Sequence, residues 1–141
     1  MDGLIRSSVL IVDDHALIRS MLVTLLADHG RFEGVAAFPG VLQALDSLTE
    51  LAPDVVLMDL NLPGLDGVEG TRRVRQSLPG THVIILTGTA DLPRQDAALQ
   101  AGACRVLTKD ILPEHLVASI RRCVIEGRPR PQGAPPAAPI R

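Results

Sequence analysis

Four apolar runs in this sequence stop on polar residues whose types suit phosphoryl chemistry. Residues 8–12 (S-V-L-I-V) end on Asp13 and Asp14, and residues 55–58 (V-V-L-M) end on Asp59. Residues 82–86 (H-V-I-I-L) end on Thr87 and Gly88, and residues 104–108 (C-R-V-L-T) end on Lys109. Singly, each has an ordinary structural use: an aspartate caps a helix, a threonine begins a turn, a lysine faces solvent. Together they make a site. Three carboxylates brought close repel one another and need a cation. An all-oxygen donor set with room for water and phosphate oxygens suits Mg²⁺. Lys109 adds a fixed positive charge and the Thr87 hydroxyl a hydrogen-bond donor. Metal, lysine and hydroxyl around a carboxylate are what a transferring phosphoryl group requires, because its transition state asks for positioning and charge neutralisation. The carboxylate can itself accept the group as an acyl phosphate.

The elements that must hold these residues are legible in the pattern of apolar positions. After Asp14, Leu17, Ile18, Met21, Leu22, Leu25 and Leu26 form one stripe at helical spacing over residues 15–29, with Gly30 as the stop. Residues 34–38 (G-V-A-A-F) read as a second strand, and Val41, Leu42, Leu45, Leu48 and Leu51 as a second helical stripe. The continuous run before Asp59 is that of a strand covered on both faces. Pro63-Gly64 marks an irregular loop, and Asp66 with Glu69 three residues on is a helix start that should run to about Ser77. Pro79-Gly80 leads into the fourth strand, a short helix spans about 92–101, and Pro113 opens a last helix with Leu116, Val117, Ile120 and Val124 on one face. Strand and helix alternate five times with short loops, which predicts a doubly wound α/β fold with a parallel sheet between helices. Active residues of such sheets lie at the carboxyl ends of the strands.

Composition narrows the function classes. With 141 residues, one domain is expected, and a net charge of −2 gives no electrostatic case for nucleic acid or a membrane surface. Aromatics are 1% of the chain, two Phe without Trp or Tyr, so flavin or base stacking lacks its usual platforms. No signal-like start or membrane-length apolar run is seen, and Cys104 and Cys123 lack metal-ligand spacing. The expectation is a cytoplasmic protein with two reduced packing thiols. Residues 128–141 (R-P-R-P-Q-G-A-P-P-A-A-P-I-R) are too rich in proline for helix or sheet and read as a linker or disordered tail after a domain over 1–127. His15 is read as a solvated loop residue, and Arg72, Arg73 and Arg75 as a wet helix face. His29, His82 and His115 share no strand end or ligand spacing.

The motifs V-D-D-H at 12–15, D-L-N-L-P-G-L-D-G at 59–67, L-T-G at 86–88 and L-T-K-D at 107–110 resemble the receiver domain of two-component response regulators, most of all the NarL/FixJ-type subfamily, over residues 8–127. Each motif alone is weak, whereas four in order on the expected strand ends are specific. The resemblance implies a CheY-like, flavodoxin-like strand order 2-1-3-4-5 with five flanking helices. It implies Asp59 as phosphoacceptor, Mg²⁺ held directly by Asp14, Asp59 and the backbone carbonyl of Asn61 and through water by Asp13, and Thr87 and Lys109 on the phosphoryl group. Gly88 would suit close backbone approach. The implied partners are a sensor histidine kinase, a second copy on phosphorylation, and DNA through a C-terminal output domain outside this chain. Such a switch catalyses only its own phosphorylation and dephosphorylation, and is not an enzyme in the ordinary sense.

Two positions depart from the family pattern. Val106 stands where a switching Tyr or Phe is common, and Asp110 follows the lysine where many relatives have proline, so a cis bond is not expected there. Competing functions are an aspartyl phosphohydrolase, which would want an acid where this chain has Asn61, and a stand-alone or phosphorylation-independent interaction domain, which Val106 favours.

Overall fold

Side chains of the central strands point alternately to the two faces of one sheet and build a core on each. The computed structural model describes residues 7–29, 32–88 and 90–125. Its strands are β1 (Ser7–Val12), β2 (Phe32–Phe38), β3 (Val55–Asp59), β4 (His82–Thr87) and β5 (Arg105–Thr108). Its helices are α1 (Ala16–His29), α2 (Val41–Leu51), α3 (Gly67–Ser77), α4 (Leu92–Gln100) and α5 (Pro113–Ile125). All pairings are parallel and the strand order is β2-β1-β3-β4-β5, the doubly wound order that the family resemblance implies. Successive strand residues face opposite sides. Leu10, Val12, Val56, Met58, Val83 and Ile85 pack with α2, α3 and α4, through residues such as Leu48, Val74 and Ala98. Val9, Ile11, Val55, Leu57, Ile84 and Leu86 pack with Leu22 and Leu26 of α1 and Leu116, Val117 and Ile120 of α5. Burying both faces explains why β3 and β4 are apolar without interruption, as parallel strands under helices must be.

Local chemistry sets the helix ends. Asp66 Oδ1 accepts from the backbone N–H groups of Val68 and Glu69 at 3.1 Å each, capping α3 as its sequence signature predicts. Asp91 caps α4 by accepting from the Arg94 N–H at 3.2 Å, with Pro93 in the first turn. Among the described residues no helix is long and apolar enough to cross a membrane. Gly30 and the proline-rich stretch 128–141 lie outside the described residues.

Several expectations need correction. The α1 stripe is wider than the arc the helix buries: Leu17 and Met21 are exposed, 71% and 56%, while Leu22 and Leu26 meet the core. A helix packed between a sheet and α5 covers one face only, and the stripe spills past it. Leu42 and Leu51 of α2 are exposed for the same reason. The second strand begins at Phe32 rather than at residue 34, because its pairing with β1 continues across a register shift between Ser7 and Ser8.

Arg75 is not on a wet face. It is buried, with its guanidinium donating to the carbonyl oxygens of Pro79 and Thr81, while Arg72 and Arg73 stay half-exposed and pair with Glu69. Its position is where α3 turns back to β4, so its fork takes up carbonyls that the turn leaves over. Nor are the cysteines separate thiols. Cys104, just before β5, is disulfide-bonded to Cys123 on the inner face of α5, with Cα atoms 6.7 Å apart. Nothing in a spacing of 19 residues signals this pairing, which arises when α5 folds back over the sheet.

Two outcomes follow. The chain-entropy model gives a crosslink of this span about 3 kcal/mol of stability, so urea unfolding should shift by about that amount on reduction, and Cys104→Ser/Cys123→Ser should be insensitive to reductant. His82 is buried at the start of β4, and burial first, then the Arg75 charge, lowers its pKa below the ordinary 6.5, with Asp54 opposing. A lowered histidine pKa makes its contribution to stability complete above about pH 6.5 and lost progressively as pH falls below it, where the unfolded chain takes up the proton first. Unfolding curves between pH 7.5 and 5.5 should therefore show a fall in stability that is smaller in His82→Gln.

Candidate phosphoacceptor site

Strand register alone brings the polar strand ends together. Val12 pairs with Met58, so Asp13 and Asp59 leave neighbouring strands side by side. Asp59 pairs with Leu86 and Thr87 with Thr108, which places Thr87 one step beyond Asp59 and Lys109 one step beyond Thr87. The Lys109 N–H also donates to the Thr87 carbonyl at 2.9 Å, keeping the end of β5 fastened to β4. Asp13, Asp59 and Thr87 are buried, and Asp14 is exposed at the rim.

Lys109 is the hub. Its Nζ lies 2.9 Å from Asp13 Oδ2 and 3.2 Å from Asp59 Oδ2, one ammonium against two carboxylates that are each only 3% exposed. Burial raises the pKa of Asp59, and the neighbouring Asp13 charge adds to this. The Asn61 N–H, which donates to Asp59 Oδ1 at 3.2 Å, and the Lys109 charge pull the other way. For Lys109, burial alone would lower the pKa. The hydrogen bond to Asp13 and the charges of Asp59 and Asp13 together outweigh it and raise the value. The lysine is therefore held charged at neutral pH.

His15 was missed by sequence reasoning as a site residue. Its Nδ1 lies 3.1 Å from Asp13 Oδ1 and 3.2 Å from Asp14 Oδ1, and its backbone N–H donates to Asp13 Oδ1 at 2.9 Å. The signal available was its position directly after the acidic pair. Oxygen atoms of Asp13, Asp14 and Asp59 and a ring nitrogen of His15 lie within 4.8 Å of one another, close enough to share a metal ion. The carboxylates are hard oxygen donors, matched to Mg²⁺ rather than to a soft metal, so the residues present fit the ion. Asn61 adjoins this cluster through its bond to Asp59. Among the described residues, and leaving out its chain neighbours, a Cβ on Gly88 would meet only Lys109 Cδ, at 3.8 Å. Val106 is half-buried against the α2–α3–α4 core, and no cis peptide occurs among the described residues.

A doubly wound sheet with an acidic, lysine-bridged pocket at its carboxyl edge defines a receiver architecture. The response regulator receiver domain family matches residues 9–121, and the chain belongs to that family. It is 38% identical to the response regulator GacA of Pseudomonas aeruginosa over 114 residues, 81% of this chain and 53% of that protein. It is 37% identical over 114 residues to the transcriptional activator protein ExaE of Pseudomonas putida, again 81% of this chain and 53% of the relative. The signal receiver domain of NarL from Mycobacterium tuberculosis superposes with a TM-score of 0.77 at 29% identity, over 86% of this chain and 98% of that one. The chain spans about half the length of the curated relatives it matches.

The close packing of the acceptor loop gives a direct test. A Cβ on Gly67 would fall 2.3 Å from the Asp59 carbonyl oxygen and 2.8 Å from the Leu60 Cα, both backbone atoms. Gly67→Ala should cost about 1–3 kcal/mol in urea unfolding, while Gly80→Ala, with nothing within 4 Å, should change stability by less than about 0.5 kcal/mol.

Proposed function

We propose that the chain is a phosphorylation-activated signalling switch in which Asp59 accepts a phosphoryl group from a sensor histidine kinase. The observation that supports this best is the bridging of Asp13 and Asp59 by Lys109 at 2.9 and 3.2 Å, beside a metal-competent acidic rim. One Asp59 carboxylate oxygen attacks phosphorus, the P–N bond to the kinase histidine breaks, and a P–O bond forms. Lys109 stays near the transferred group and balances its charge, Thr87 donates its hydroxyl to a phosphoryl oxygen, and the Asn61 N–H steadies the attacking carboxylate. Asp14, Asp59 and the Asn61 carbonyl would hold Mg²⁺, with Asp13 acting through water. When bound, the ion would supply charge neutralisation during transfer.

Turnover is confined to the chain's own aspartate. Asn61, where an aspartyl phosphohydrolase would want a general acid, carries only amide protons too weakly acidic to transfer, which weighs against a phosphatase. The similarity to ExaE, a transcriptional activator protein, supports an output that controls transcription through a DNA-binding domain outside this chain, with the phosphorylated receiver pairing with a second copy. Such a protein would work in the cytoplasm. A second reading, an interaction domain indifferent to phosphorylation, is favoured by Val106, which lacks the aromatic ring that could turn between buried and exposed positions.

Incubation with acetyl phosphate and Mg²⁺ should add one phosphoryl mass of about 80 Da, which does not form when the metal is chelated beforehand or in Asp59→Asn. A mass gain that survives Asp59→Asn overturns the assignment. Phosphorylation that leaves oligomeric state and amide exchange unchanged would favour the second reading.

A further inference from the structure

The loop between Asp59 and α3 is gripped by a side chain from a different element. Arg94, in the first turn of α4, donates through Nη2 to the Leu60 carbonyl at 2.8 Å and to Asp66 Oδ2 at 3.0 Å, and through Nη1 to Asn61 Oδ1. Its own backbone N–H is held by the Asp91 cap at 3.2 Å, so the guanidinium is anchored to the helix end and not to a free strand of chain. One residue thereby ties together both ends of the acceptor loop: Leu60 and Asn61, which directly follow Asp59, and Asp66, which caps α3.

Asn61 is held from two sides, its backbone N–H by Asp59 and its side chain by Arg94. Leu60 is held likewise, its carbonyl accepting from the Gly67 N–H at 3.1 Å as well as from Arg94. The ion pair with Asp66 is itself about one-third exposed, 32% and 39%, so it adds little to global stability. What the fork supplies is geometry: planar donors matched to three acceptors at once, which a lysine cannot reproduce.

The geometry points to Arg94 as a positioning residue for metal binding and phosphoryl transfer at Asp59, acting by fixing the backbone of Leu60 and Asn61 and joining that loop to α4. This inference rests on the proposed reading of the acidic rim as a Mg²⁺ site. The same three bonds join residues 60, 61 and 66 of the loop to α4. Val106, on the same face of the sheet as α4, offers no polar group for the purpose.

Removing the guanidinium outright mixes two effects, since loss of a nearby positive charge favours a cation while loss of the loop's restraint opposes it. Arg94→Lys keeps the charge and removes the fork, and is the informative variant. Mg²⁺ titrations followed by amide NMR, with hydrogen exchange at the Asn61 and Gly67 amides recorded without metal, separate the outcomes. Arg94→Lys should weaken Mg²⁺ binding by about tenfold, the low end for residues that orient a ligand, and speed exchange at both amides, with a melting temperature within about 4 °C of the parent. A Mg²⁺ affinity within about twofold of the parent, or unchanged exchange at both amides, overturns the role given to Arg94. A parent chain whose Asp13, Asp14 and Asp59 signals ignore Mg²⁺ overturns the metal reading itself and this inference with it.

Discussion

Two buried carboxylates sharing one ammonium is the constraint around which this molecule is arranged. Asp13 and Asp59 leave adjacent strands a few ångströms apart, and neither has enough water around it to screen the other. Lys109 neutralises part of that charge from the end of β5, and its amide fastens to Thr87 on β4. Once the exposed Asp14 is counted, the arrangement is two positive charges short, a deficit that matches the charge of a divalent cation. His15, lying against Asp13 and Asp14, occupies the side of the rim facing solvent.

The sheet beneath exists to hold these strand ends in register. Covering both faces with helices excludes water from β3 and β4, and it also keeps the pairing from slipping, since a one-residue shift would turn every core side chain to the wrong face. The same packing that stabilises the domain therefore sets the positions of the polar ends. At the opposite end of the sheet a different polar group is tolerated: Arg75 lies beneath the turn of Gly102, its side chain so close that a Cβ there would stand 2.8 Å from Nε. With φ at +118°, that turn requires glycine on conformational grounds as well.

The acceptor loop and β5 are tied into the fold in different ways. The acceptor loop is joined to α4 by bonds from one arginine, whereas β5 contributes an aliphatic Val106 packed against the core. The disulfide between Cys104 and Cys123 further restrains β5 against α5.

Sequence alone determined the alternation of strands and helices, the α3 cap at Asp66, and the candidacy of Asp13, Asp14, Asp59, Thr87 and Lys109. These signals are local: apolar periodicity, a turn residue, and a polar residue at the end of an apolar run. The strand order came from the resemblance of four motifs rather than from periodicity, because crossover rules leave several parallel orders open. Tertiary structure decided what depends on how separate elements pack: the burial of Arg75, the exposure of Leu17 and Met21, the meeting of Cys104 with Cys123, and the reach of Arg94 across to Asp66. A side chain's partners over such separations follow from packing, and the periodicity of one segment holds no record of which face its neighbour will cover.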